Sequence, residues 1–363
     1  MPIHLKLDSF LMLWTAIFLL ALVMAVAFTR FYLSGPSLSG FDTPLGEQFK
    51  GQEPNDEHDQ VVASLTIAAS PTAKASRKQQ LALMRQRMDQ LSDGIDFASS
   101  FTHVTAGDVP AEWVIAPGAD SSRRLLYIHG GAFVMGSPRS HRVITSRFSE
   151  ISGCAVLAID YRLMPEHRRM AGVTDCQTAF EWLLKNGPDG VSPAQRIYIA
   201  GDSAGGNLAL MMAAWARDHG TQKADAVVAL SPVTDATFSG PSMKANVETD
   251  AMLGPMFKGL TKIPRPLLLW GGWVQNRVKP SSPVISPVFG NLRNLPPTLV
   301  HASEAEMLLD DGRRYVNRAV ANGSVATLQT WPRVVHVWHM FYPQLTEARE
   351  AWDEIGKFLA EAG

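Results

Sequence analysis

Gly201-Asp202-Ser203-Ala204-Gly205 constrains this chain more than any other segment. It follows an apolar β-run, Arg196-Ile-Tyr-Ile-Ala200, and precedes an apolar helical run over residues 208–217. A serine flanked by small residues at a strand-to-helix junction marks a turn too sharp for bulkier neighbours. Such a turn pushes the Ser203 hydroxyl away from the backbone, as in a nucleophile elbow. The helix that follows directs its free N–H groups and positive dipole end at the same point. G-x-S-x-G recurs by chance in many chains; its weight here comes from the strand and helix on either side.

Upstream, the apolar strand Leu125-Leu-Tyr-Ile128 runs into His129-Gly130-Gly131-Ala132-Phe133. Glycines directly after a strand let the backbone turn its amides toward a ligand, which is what holding a developing oxyanion requires. Downstream, Pro297-Thr-Leu-Val-His-Ala302 predicts a further strand, followed by the carboxylates Glu304, Glu306, Asp310 and Asp311. The β-branched content of Val325-Ala-Thr-Leu-Gln-Thr-Trp331 predicts another, and the loop after it carries His336 and His339. Hydroxyl, acid and imidazole therefore each follow a predicted strand. The residues alone leave the choice of acid and imidazole open, and helix N-terminal capping is the expected role of Glu304 and Asp311.

With these segments, and with Asp160-Tyr-Arg-Leu-Met-Pro-Glu-His167, the chain resembles the hormone-sensitive-lipase-like family of α/β-hydrolases, which includes arylacetamide-deacetylase-type and bacterial esterases. Weaker matches follow at Ser231-Pro-Val-Thr-Asp235 and across residues 303–311, so that the likeness spans roughly residues 90–363. The resemblance implies the α/β-hydrolase fold: a mostly parallel central sheet flanked by helices, with a helical cap. It also implies ester hydrolysis through an acyl-serine intermediate, without a cofactor. Laid on the family's pattern, Ser203 is the nucleophile and Glu306 takes the acid position, where aspartate is commoner. His336, after Trp331-Pro332, takes the base position. Glu304 and Asp310 are the fallback acids and His339 the fallback base.

The same pattern puts the oxyanion hole at the N–H groups of Gly130, Gly131 and Ala204, with Ala132 in place of a third glycine. His129 is expected to anchor the loop and Asp202 to support the turn. The implied substrates are short- to medium-chain carboxylic esters. A deacetylase, amidase or lipase shares every motif. A non-catalytic ligand-binding protein on this fold predicts a lost triad member, whereas a serine, an acid and a histidine are all in place. His336-Val-Trp-His339 lacks the H-E-x-x-H arrangement of a zinc enzyme, and no metal is expected.

Helical runs over residues 177–185, 208–217 and 311–322 alternate with the strands, which argues for parallel pairing. At 363 residues and 46% hydrophobic content the chain has material for a substantial core. A formal net charge of −1 lacks the basic footprint of a nucleic-acid binder. Cys154 and Cys176 read as small buried hydrophobes, and nothing in the composition fixes an oligomeric state.

The N-terminus carries a second strong signal. Residues 10–29 hold no charge, between Lys6 and Asp8 on one side and Arg30 on the other. A helix of that length spans about 30 Å, the hydrocarbon thickness of a bilayer. Residues 1–33 are thus expected to be a retained single-span anchor of undetermined orientation. The alternative is a signal cleaved near Ala25-Val-Ala27, leaving a secreted or periplasmic protein. Residues 34–73, rich in Gly, Pro, Ser and acids, read as a solvated spacer. Residues 74–363 then form the hydrolase domain, with the cap drawn from about 74–100 and 240–288. Leu81, Met84, Met88 and Leu91 make one helical stripe, predicted to cover the site; a basic face resting on lipid is the other reading. Trp270 and Trp273 are expected either to offer apolar surface to a substrate group or to sit in the core.

Overall fold

The computed structural model describes residues 3–53, 55–68, 76–219 and 222–362. Its strands are β1 (Glu47–Gln48), β2 (Ser100–Ala106), β3 (Val109–Ile115), β4 (Asp120–Ile128), β5 (Cys154–Ile159), β6 (Asn186–Gly187), β7 (Gly190–Val191), β8 (Arg196–Asp202), β9 (Ala226–Leu230), β10 (Thr298–Ser303) and β11 (Ala326–Trp331). Apart from the β6–β7 ribbon they form one nine-stranded sheet in the order β1-β11-β10-β9-β8-β4-β5-β3-β2. Pairing is parallel from β1 across to β5. It turns antiparallel at β5–β3 and β3–β2. The order reverses direction around β4, β5 and β8, and in such sheets ligands bind beyond the carboxyl ends of the strands near that reversal.

The helices are α1 (Ile3–Phe28), α2 (Asp56–Ala68), α3 (Arg77–Asp89), α4 (Arg142–Ser152), α5 (Arg169–Leu183), α6 (Ser203–His219), α7 (Ser242–Ala245), α8 (Leu253–Phe257), α9 (Arg265–Asn276), α10 (Leu309–Ala321) and α11 (Thr346–Ala362). The helical runs expected at 177–185, 208–217 and 311–322 fall on α5, α6 and α10, each of which starts earlier. One face of the sheet is covered by α5, α6 and α10, whose Phe180, Leu208, Met212 and Tyr315 enter the larger core. The other is covered by α4 and α11 through Phe148, Trp352 and Ile355. Cover on both faces explains why β5 and β9 are continuous apolar runs, buried at every residue.

Residues 34–73 depart from the expected spacer wherever they are described; Pro54 and residues 69–73 lie outside the described residues. Leu38 is buried, Phe49 stacks on Trp331 with ring centroids 4.2 Å apart, and β1 extends the sheet beside β11. Several acids of this segment are engaged, while Asp56 and Asp59 are exposed. Asp42 pairs with Arg314 at 2.5 Å, and Glu57 accepts from the Thr346 N–H at 2.8 Å. Helix α2 also buries Val61 against the Trp331 and Trp338 cluster. Few apolar residues are needed, because the edge strand β11 and its tryptophan supply the complementary surface.

The segment Phe10–Leu33 is long and apolar enough to cross a membrane, with mean hydropathy 2.6 and none of its most apolar window buried. Its C-terminal end is seated on α9. Phe28 contacts the rings of Trp270 and Trp273 at 5.2 and 5.3 Å, and Trp270 Nε1 donates to Thr29 Oγ1 at 2.8 Å. The two tryptophans therefore serve neither as core nor as substrate surface. They make the socket for the apolar helix.

Candidate active site

Ser203 stands where β8 ends and α6 begins, with φ 51°, a left-handed backbone that a non-glycine residue adopts only under constraint. The flanking glycines are required by close approach. A Cβ on Gly201 would fall 2.5 Å from Gly205 O, and one on Gly205 would fall 1.9 Å from Ile128 O. The sequence thus encodes the elbow through what it omits at both neighbours.

Glu306 is fully buried on the turn after β10, and its Oε1 accepts the Ser303 N–H at 2.9 Å. Its Oε2 lies 2.6 Å from Nδ1 of His336, which follows β11 and is also buried. Burial alone would drive His336 toward its neutral form. The hydrogen bond and charge of Glu306 outweigh it, and the imidazole pKa rests above the ordinary histidine value. Ser203 and His336 line one cavity of about 1360 Å³, larger than the usual range of ligand pockets.

The remaining candidates are placed elsewhere. Asp310 accepts the Ser242 N–H at 2.6 Å and Glu304 faces Arg313 at 3.5 Å. Asp311 accepts the N–H groups of Thr234 and Asp235, a loop brace and not a helix cap alone. His339 packs against His301 with 3.0 Å between ring nitrogens, and burial with the neighbouring His301 and His336 holds its pKa well below the ordinary value. It does not line the cavity.

The glycine loop requires one correction. The Gly130 N–H donates to Asp202 Oδ1 at 2.9 Å, and Gly130 is absent from the cavity wall. A donor already committed to a buried carboxylate cannot also meet an oxyanion. Gly131, Ala132 and Ala204 do line the cavity beside Ser203. Gly131 has φ 109°, and a Cβ there would fall 2.2 Å from Met135 O. Ala132 follows at φ 53°, so the loop keeps its shape with alanine at a position that glycine would occupy without strain.

Asp202 ties this loop to the elbow. It accepts from Tyr127 Oη at 2.5 Å as well as from Gly130, and His141 Nε2 lies 3.4 Å away. Burial alone would raise its pKa, but the charge and hydrogen bonding of His141, with the Tyr127 hydroxyl, hold it below the usual carboxylate value. His129 is buried, places Nδ1 2.7 Å from Gly130 O and stacks on Tyr161 at 4.4 Å. Its pKa is pushed down to about 3 by burial and then by His141, so it is neutral scaffold. Tyr127 and His141 carry no sequence signal of their own; only the fold brings them to Asp202. Asp250, likewise missed, caps the Leu253 N–H at 2.7 Å and holds the Met307 N–H at 2.8 Å, fixing the residue after Glu306.

The cavity wall draws on distant parts of the chain. Helix α3, with Met84 and Met88, covers one side and is held by Arg85, which donates to Glu166, to Val134 O and to Met164 O. It is capped by Ser76 through a capping box with Gln79; Lys74, at the start of the expected cap segment, lies outside the described residues. Val61 and Leu65 of α2, Leu253 and Phe257 of α8, and Leu268 of α9 complete the apolar lining.

Comparison with known proteins agrees with this fold. A family described by its alpha/beta hydrolase fold matches residues 125–340. The chain is 37% identical over 259 residues to an acetyl-hydrolase of Streptomyces hygroscopicus, covering 71% of this chain and 82% of the relative. It is 34% identical over 269 residues to the carboxylesterase/phospholipase LipF of Mycobacterium tuberculosis, covering 72% and 69%. An esterase of the bacterial hormone-sensitive lipase family superposes with TM-score 0.73 at 34% identity, over 86% of this chain and 99% of that one. The esterase EstE5, soaked with p-nitrophenyl butyrate, superposes with TM-score 0.72 at 35% identity, over 85% and 99%.

Proposed function

Because the chain belongs to the α/β-hydrolase family, on its hormone-sensitive-lipase branch, and is a carboxylesterase-type hydrolase, we propose that it cleaves carboxylic esters through an acyl-enzyme on Ser203, at a membrane held by α1. One observation carries this reading. A buried carboxylate–imidazole pair, Glu306 and His336, opens into the same apolar cavity as a serine raised on a strained turn.

In the proposed cycle His336 Nε2 takes the Ser203 proton as the hydroxyl oxygen attacks the ester carbonyl. Glu306 keeps the other proton on Nδ1 and stabilises the imidazolium without accepting that proton. The N–H groups of Gly131, Ala132 and Ala204 meet the oxyanion, each worth on the order of a hundredfold in rate. His336 then protonates the departing alcohol. Water repeats the sequence and releases the acid, so the cycle begins and ends with Ser203 free and His336 neutral.

Short to medium acyl esters are the proposed substrates, and the volume and apolar lining of the cavity leave room for longer chains. Labelling with a fluorophosphonate, followed by p-nitrophenyl esters of increasing chain length and an aryl amide, tests the activity and separates esterase from amidase. The expected result is labelling and ester turnover in the wild type and neither in Ser203→Ala. Turnover retained in Ser203→Ala overturns the acyl-serine route. Carbonate extraction tests the anchor: the chain is expected in the pellet, and a soluble chain lacking residues 1–27 would show a cleaved signal.

A further inference from the structure

Helix α9 divides its surface among three neighbours. Leu268 and Asn276 face the cavity, and Trp270 and Trp273 hold the end of α1. Its remaining stripe, Leu267, Gly271 and Val274, points outward at helical spacing, with Leu267 62% and Val274 51% exposed. Met256 and Ile263, in the same stretch of the cap, are exposed too but belong to the cavity wall and not to this stripe. Scattered surface aliphatics are ordinary, but a contiguous set on one helix marks a contact surface.

Along the chain, the segment that carries this face has charge of one sign. No Asp or Glu occurs between Asp250 and Glu304, whereas Lys258, Lys262, Arg265, Arg277, Lys279 and Arg293 do. Some of these are engaged: Lys258 pairs with Glu248 at 2.6 Å, and Arg265 Nε donates to Thr237 O. Lys262 and Arg277 are exposed, and Lys279 lies 5.5 Å from the centre of the Tyr32 ring at the end of α1. Arg30, on the last turn of that apolar helix, is exposed as well. Apolar side chains interspersed with cations, beside a helix that enters a bilayer, match the chemistry of an anionic lipid surface.

We infer that the outward face of α9, with Lys262 and Arg277, rests on the anionic headgroup surface of the membrane that α1 enters, and that the cavity behind it takes lipid-borne esters. This inference rests on the reading of α1 as a retained span. Its physical basis is continuity: Phe28, Trp270 and Trp273 join the span to the cap, so membrane entry of α1 brings α9 to the interface. The inner and outer faces of one helix then serve the cavity and the lipid.

The test uses the full chain in phosphatidylcholine vesicles with and without phosphatidylglycerol. Leu267→Cys gives a labelling site for an environment-sensitive fluorophore, because the native Cys154 and Cys176 are buried. Val325→Cys is the control: Val325 is 68% exposed and precedes β11, at the end of the sheet opposite Ser203. Spin-labelled lipid is expected to quench the probe at 267 and not at 325, more strongly with phosphatidylglycerol. In parallel, Leu267→Asp with Val274→Asp is expected to lower kcat/KM for a vesicle-borne ester by about tenfold or more. Hydrolysis of soluble p-nitrophenyl butyrate should be unchanged, since neither residue lines the cavity.

A probe at 267 that lipid does not quench, in protein fully active on the soluble ester, overturns the docking surface while leaving the esterase reading intact. Cross-linking of two copies through the thiol introduced at position 267, in place of quenching, assigns the face to a second chain and overturns it equally. Release of the wild-type chain by carbonate removes the span and the docking together. Failure to hydrolyse the soluble ester refutes the catalytic reading separately.

Discussion

Replacing Glu306 with glutamine isolates the electrostatic and tautomeric work of the buried acid. Glutamine has nearly the shape of glutamate, and its amide oxygen can still accept the Ser303 N–H that Oε1 now accepts at 2.9 Å. Its amide nitrogen then faces His336 Nδ1, where a carboxylate oxygen stood at 2.6 Å. A donor at that point forces the imidazole to carry its proton on Nε2, the atom that accepts from Ser203 in the proposed cycle. Triad acids replaced in this way typically cost about 10³- to 10⁴-fold in kcat, or about 4–5.5 kcal/mol of transition-state stabilisation.

The pH profile moves with a defined sign. The proposed cycle needs neutral His336, so in the wild type kcat/KM is expected to climb as pH rises through a pKa held above the ordinary value. Without the Glu306 charge, burial prevails and that pKa drops, so the acidic limb shifts to lower pH while the plateau falls. Steady-state hydrolysis of p-nitrophenyl butyrate from pH 5 to 9, with melting curves to show the fold intact, reads both effects. A Glu306→Gln enzyme within tenfold of wild type, with its acidic limb unmoved, would refute the reasoning. Collapse of Asp310→Asn alongside it would transfer the role to Asp310.

Other outcomes follow from the same structure. Gly131→Ala should cut kcat about a hundredfold by displacing an oxyanion amide, since its Cβ meets Met135 O at 2.2 Å. Gly94→Ala, also at positive φ but with open space around it, should leave kcat unchanged. Burial holds the folded-state pKa of His301 down to about 3, so this group binds a proton more readily when unfolded. Its contribution to stability is therefore present above about pH 6.5 and lost, at up to about 1.4 kcal/mol per unit, as pH falls toward 3. Calorimetry should show the wild-type Tm dropping between pH 7 and 5 and a flatter slope in His301→Gln; parallel slopes would contradict this assignment. Phe49→Ala, which removes the stack on Trp331, should cost about 1–3 kcal/mol in chemical denaturation. No loss would mean that the segment before α2 adds nothing to the fold.

The parts of the molecule legible in the sequence are those where local pattern and local structure coincide. β8, the elbow and α6 form one uninterrupted unit, and the apolar runs of β4 and β10 are read directly because both faces of the sheet are covered. Resemblance, and not periodicity, points to the Glu306–His336 pair, since loops position both residues. What escaped reading depends on partners far away in the chain. β1 is two exposed polar residues, and it is a strand only because β11 presents an open edge. Helix α2 is acidic and weakly apolar, and its fold follows from contacts with residues nearly three hundred positions later. The Gly130 amide looks like any other loop donor until Asp202, a motif residue in its own right, is seen to claim it.

The placement of α2 has a practical consequence. Glu57, Gln60, Val61, Ser64 and Leu65 form part of the chamber wall although they precede the matched family segment by some sixty residues. Trimming the chain near residue 74 to obtain a freely soluble enzyme would therefore leave Ser203, Glu306 and His336 in place and breach the chamber. Chain-length selectivity measured on such a fragment would describe an artificial opening. Helix α2 and the chamber wall are one piece of architecture, and chain-length preference belongs to a polypeptide that keeps both.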